Sequence, residues 1–66
     1  MKHFLRLKEV SRITGIPRSS LYELMRDDST FPKLVSLNKR TKAIVDVELT
    51  AWMEARIAER DSEGGR

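Results

Sequence analysis

A mainly helical domain with one small β-hairpin is the fold class this 66-residue sequence predicts, and three observations point to it. Residues 7–25, LKEVSRITGIPRSSLYELM, carry two short amphipathic helical patterns separated by Gly-Ile-Pro. The hydrophobic period then changes, and residues 34–45 read as two β-leaning runs around a polar turn. From Asp46 the period becomes helical again. The predicted order is helix, turn, helix, two-stranded hairpin and C-terminal helix, in one domain over residues 1–61 with a disordered tail over 62–66.

The first helix follows from Leu7, Val10 and Ile13, which share a stripe because residues three and four apart lie on one face of a helix. Gly15 ends it, since glycine takes the left-handed conformation that closes a helix, and Ile16 can pack into the corner beyond. Pro17 has no amide hydrogen to lose and a φ suited to a helix start, so a second helix begins at about Arg18. Leu21, Leu24 and Met25 are its buried stripe, and Arg18, Ser19, Tyr22, Glu23 and Arg26 face outward.

This is the sequence form of a helix-turn-helix, in which the second helix offers its outward N-terminal residues to base edges in the major groove. The predicted partner is double-stranded DNA. Arg18 can hold a phosphate or bind guanine through two bonds. Ser19 and Ser20 can donate to phosphates, although serine near a helix start is also ordinary capping chemistry. The Tyr22 hydroxyl can reach a phosphate, or the ring can prop the hairpin.

The polar stretch Arg26-Asp27-Asp28-Ser29-Thr30 closes the second helix, and Phe31-Pro32 excludes another from starting there. Leu34-Val35-Ser36-Leu37 and Lys42-Ala43-Ile44-Val45 then flank Asn38-Lys39-Arg40-Thr41, a turn of hairpin length. Beside a helix-turn-helix such a hairpin is a wing. Its Lys39, Arg40, Thr41 and Lys42 are expected along a phosphate backbone or an adjacent minor groove.

Asp46 is suited to cap the last helix and Glu48 to its dipole. Leu49, Trp52, Met53 and Ile57 form its apolar stripe, which a chain this small needs for its core. Trp52 is therefore expected as a core anchor, and with the stripe consumed the free protein is expected to be a monomer. Useful specificity then calls for further copies on neighbouring DNA repeats. From Asp61 onward the chain is expected to fray.

Charge is distributed unevenly. Residues 1–42 hold ten Lys or Arg against four Asp or Glu, a net +6, and residues 43–66 hold three against six, a net −3, giving +3 for the chain. A basic first part that coincides with the helix-turn-helix suits a polyanion, with the acidic last part turned away from it. There is no cysteine, so no disulfide or thiolate metal site is available, and His3 has no second histidine to complete a metal site. No cofactor is expected. A serine nucleophile needs a base held by a rigid frame, and the lone histidine sits in an expectedly loose terminus, so catalysis is not predicted. The first residues, MKHFLRLK, contain no signal-peptide core, and no apolar run nears the ~20 residues needed to span a bilayer. A cytoplasmic protein with no membrane partner is expected. A different class, an adaptor that docks a polymerase or recombinase, draws on Asp46, Glu48, Glu54, Glu59, Asp61 and Glu63; salt-sensitive duplex binding separates the two.

The stretch LRLKEVSRITGIPRSSLYELM, then FPKLVSL, then Trp52 in a final helix, resembles the AlpA family of phage-type regulators from Leu5 to about Ile57. These are small winged helix-turn-helix proteins related to excisionases and to the DNA-binding domain of MerR-type regulators. Ser19-Ser20-Leu21-Tyr22 matches the family's recognition-helix start, and Phe31-Pro32-Lys33 its Phe-Pro-Lys. The resemblance implies transcriptional regulation of prophage or integrative-element genes, with an excisionase-like architectural role in recombination as the alternative. Two positions depart from it. Pro17 stands where many members have a capping Ser, and Glu23 where many have Arg. A carboxylate there either accepts from a cytosine amino group or marks a part of the helix away from DNA.

Overall fold

The computed structural model describes residues 2–64. In chain order it contains β1 (Phe4–Leu5), α1 (Leu7–Thr14), α2 (Arg18–Asp27), β2 (Val35–Ser36), β3 (Lys42–Val45) and α3 (Asp46–Gly64). Three helices surround a small antiparallel sheet of order β1-β3-β2.

The turn between α1 and α2 forms as the sequence predicts. Gly15 adopts φ 76° and its amide donates to Ser11 O at 2.8 Å. Side chains lace the same corner: Ser11 Oγ donates to Ile16 O at 2.7 Å, and Thr14 Oγ1 donates to Val10 O at 2.8 Å while accepting from Ile16 N at 3.2 Å. Pro17 sits just before α2 in extended conformation, and its carbonyl accepts from Leu21 N at 3.0 Å. The relative orientation of the two helices is thus fixed by local bonds as well as by packing.

The hairpin pairs Val35 with Ala43 and Ser36 with Lys42. Asn38 Oδ1 shapes its turn by accepting from Arg40 N at 2.9 Å and Thr41 N at 2.8 Å. Beyond the expected hairpin, Phe4 and Leu5 pair with Val45 and Ile44, so β3 is the central strand. That position explains why Ala43, Ile44 and Val45 are all buried rather than alternating.

The core joins Leu7 and Val10 of α1, Leu21 of α2, Phe31, Ile44 of β3, and Leu49 and Trp52 of α3. Fully burying residues such as Val10, Leu21 and Ile44 stabilises the fold by about 1.5–3 kcal/mol each. Trp52 is the anchor the sequence predicts. Its ring meets Phe31 edge-on, with centroids 4.8 Å apart and planes at 84°, and its Nε1 donates to Asp28 Oδ2 at 3.4 Å.

Five expectations are corrected. Ile13 is exposed, because Leu7, Val10 and Thr14 point inward and the helical turn puts residue 13 on their flank. Ile57 is exposed as well, since α3 outruns the core after Met53. The N-terminus is not loose: His3 N donates to Asp46 Oδ1 at 2.9 Å, and Asp46 N donates back to His3 O at 2.9 Å. The Asp46 carboxylate, expected to serve its own helix start, is thereby committed chiefly to His3, whose amide holds its pKa below the usual carboxylate value. Finally, α3 continues to Gly64 rather than fraying from Asp61. Good helix formers such as Ala55, Arg56, Ala58, Glu59 and Arg60 carry it on, with an Arg56–Glu59 ion pair at 2.6 Å. The remainder of the expected tail, Gly65 and Arg66, lies outside the described residues.

Candidate nucleic-acid interface

Where α1 begins, α2 begins and the hairpin turns, the fold leaves a cleft lined by Arg6, Leu7, Lys8, Arg18, Tyr22, Leu34, Arg40 and Lys42. The sequence reaches this geometry through two local events and one distant one. Pro17 starts α2 so that Arg18 and Tyr22 lie one turn apart on the same side. The Asn38-centred turn sets Arg40 near Lys42 at the head of β3. The pairing of β1 with β3 then draws the start of α1, with Arg6 and Lys8, toward both.

The cleft holds five cations and no carboxylate, and α3 contributes nothing to it. Among the described residues, none of the five lies within ion-pairing distance of an acid. The described arginines elsewhere are paired: Arg12 with Glu9 at 2.8 Å, Arg26 with Asp27 at 3.0 Å, Arg56 with Glu59 at 2.6 Å and Arg60 with Asp61 at 2.9 Å. Five cations without an ion pair are thus gathered around one cleft, while Lys2, Lys33 and Lys39 stand outside its lining. Like charges around a cleft repel one another, and an incoming polyanion relieves that repulsion. Arg18 adds to the imbalance, because it stands in the first turn of a helix that has no acidic residue there and no side-chain cap.

The residues singled out in the sequence fall into three groups. Arg18, Tyr22, Arg40 and Lys42 come together in the cleft, with Tyr22 54% exposed. Ser19, Glu23 and Lys39 are exposed but outside the lining, and Ser20 is half-buried. Two others are engaged inside the chain. Arg26 donates to both Asp27 oxygens, at 3.0 and 3.2 Å, which raises its pKa above the usual value. Thr41 holds the turn together, its carbonyl accepting from Leu37 N at 2.8 Å and its amide donating to Asn38 Oδ1.

Sequence reasoning missed Arg6 and Lys8. Their charge was visible in the run Leu5-Arg6-Leu7-Lys8, but only a strand pairing that joins positions some forty residues apart brings them to the hairpin.

Residues 3–57 match the family described as prophage CP4-57 regulatory protein (AlpA). The chain is also similar to the uncharacterized protein ORF88 of Enterobacteria phage P4, with 46% identity over 59 residues, covering 89% of this chain. The chain spans 66% of the length of that curated relative, just under two thirds. No solved structure matches.

Proposed function

The chain belongs to the AlpA family of phage regulatory proteins, and from that premise we propose that it binds double-stranded DNA sequence-specifically and regulates transcription of prophage or integrative-element genes. The observation that carries the reading is the acid-free cleft with its five unpaired cations drawn from α1, α2 and the hairpin.

In this reading α2 enters the major groove by its N-terminal end and the hairpin acts as a wing on the flanking backbone. Arg18 reads a guanine through O6 and N7, and Ser19 and Glu23 face neighbouring base edges. Arg6, Lys8, Arg40 and Lys42 hold phosphates, which position the helix without reading sequence, and the Tyr22 hydroxyl donates to the same backbone. Lys39, at the hairpin tip, reaches the next phosphate along. Arg26, paired with the exposed Asp27, exchanges that weak surface bond for a phosphate farther along α2.

The test is the salt dependence of binding to duplex DNA carrying the preferred site. Five displaced counterions predict that log K falls with log salt at a slope near −4 to −5. A slope near zero removes the reading. Where the preferred site lies then assigns the role, a promoter marking a transcriptional regulator and a recombination attachment core marking an architectural factor.

A further inference from the structure

Opposite in kind to the basic cleft is an apolar face formed where α3 passes α1. Leu5, Ile13, Leu49, Met53 and Ile57 line a groove there, with Ile13 50% and Ile57 48% exposed. From Glu54 to Ser62 every residue of α3 is exposed, so this half of the helix extends beyond the core with an isoleucine on the side that continues the groove. A helix end of this length without packing is marginal in water. Among the described residues, none covers Ile57.

We infer that a second copy of this chain covers it, in place of the monomer expected from a fully consumed stripe, the two α3 helices meeting antiparallel about Ile57. A two-fold interface must be self-complementary, each patch facing its own image. The sequence around Ile57 meets that condition. Three residues before it is Glu54 and three after it is Arg60, so a two-fold axis at Ile57 brings Glu54 of each copy level with Arg60 of the other. Among the described residues Arg60 pairs with the adjacent, exposed Asp61, a bond it can exchange at little cost. The two Ile57 side chains then pack against each other across the axis, at the open end of each groove. The groove and the basic cleft share no lining residue, so the pairing leaves both clefts open.

The contact is small, which predicts a weak dimer with Kd on the order of tens of micromolar. Sedimentation equilibrium of the full chain from about 5 to 500 µM tests it, with circular dichroism confirming that each variant is folded. Ile57→Lys, at an exposed site, should weaken dimerisation at least about tenfold because both copies lose the contact. Glu54→Arg or Arg60→Glu alone should weaken it several-fold, and the double exchange Glu54→Arg/Arg60→Glu should restore it. A wild type that stays monomeric over the range overturns the inference and leaves the face to a different protein or to none. A dimer indifferent to Ile57→Lys, or one that the double exchange does not restore, overturns it equally.

Discussion

Replacing Arg6 and Lys8 together by alanine removes two of the five cations of the cleft and leaves α2 and the hairpin as they are. Each phosphate contact contributes about −0.9 to the slope of log K against log salt, so a wild type with five such contacts, from Arg6, Lys8, Lys39, Arg40 and Lys42, should show about −4.5 and the double variant about −2.7. Raising salt from about 50 to 200 mM is a fourfold change, which costs the wild type about five-hundredfold in affinity and the variant only about fortyfold. The two proteins should therefore differ most at low salt and converge as salt rises. Fluorescence anisotropy on a labelled duplex measures this directly, with a scrambled duplex of equal length as the control. Both duplexes should lose affinity alike, because a phosphate contact carries no base information. An unchanged slope in the double variant would refute the assignment of Arg6 and Lys8 to the backbone, and the DNA-binding reading would then rest on α2 and the hairpin alone.

Arg18→Ala should cost about 1–3 kcal/mol on the preferred site and less on random DNA, whereas Arg40→Ala should weaken both similarly and flatten the slope by about one unit. Lys39→Ala should do the same to a smaller extent, since Lys39 stands outside the cleft lining; competition titrations with specific and random duplexes separate these cases. Gly15→Ala should cost about 1 kcal/mol or somewhat more in urea unfolding, because a Cβ there meets no neighbour within 4 Å and the whole penalty comes from φ 76°; Gly15→Asn should cost less. Acid should loosen the fold through Asp46 and Asp28, whose pKa values are held down respectively by the His3 amide and by the Thr30 hydroxyl and amide. A carboxylate with a depressed folded-state pKa contributes stability above its unfolded value, near 3.8, and loses it as pH falls through the folded value. Thermal unfolding between about pH 5 and 2 should accordingly decline more steeply for the wild type than for Asp46→Asn.

The parts of the fold that were legible in the sequence are those whose causes are local. Gly15 and Pro17 specify a helix end and a helix start within three positions, and the polar run Asn38-Lys39-Arg40-Thr41 specifies a turn between two apolar runs. Strand β1 was not legible, because two residues carry no period and their partners, Val45 and Ile44, stand far along the chain. The same pairing hid Arg6 and Lys8, so one missed strand removed two cations from the predicted site. Ile57 misled for a different reason: periodicity identifies which residues share a stripe, but not how far along the stripe the core reaches. The bond from Arg26 to its neighbour Asp27 is a local contact that spacing alone does not reveal.

The bond between His3 and Asp46 joins positions 43 apart, and it has a consequence for the order of events during synthesis. The helix-turn-helix can form from contiguous residues as they leave the ribosome, but β1 has no partner until β3 has emerged behind it. Closing so long a loop is the slow kind of step in a small fold. The residues of β1 are therefore among the last to be placed, and the basic cleft is completed only when they are. A nascent chain interrupted before Val45 would hold Arg18 in its helix and yet lack the seat that Arg6 and Lys8 supply beside it.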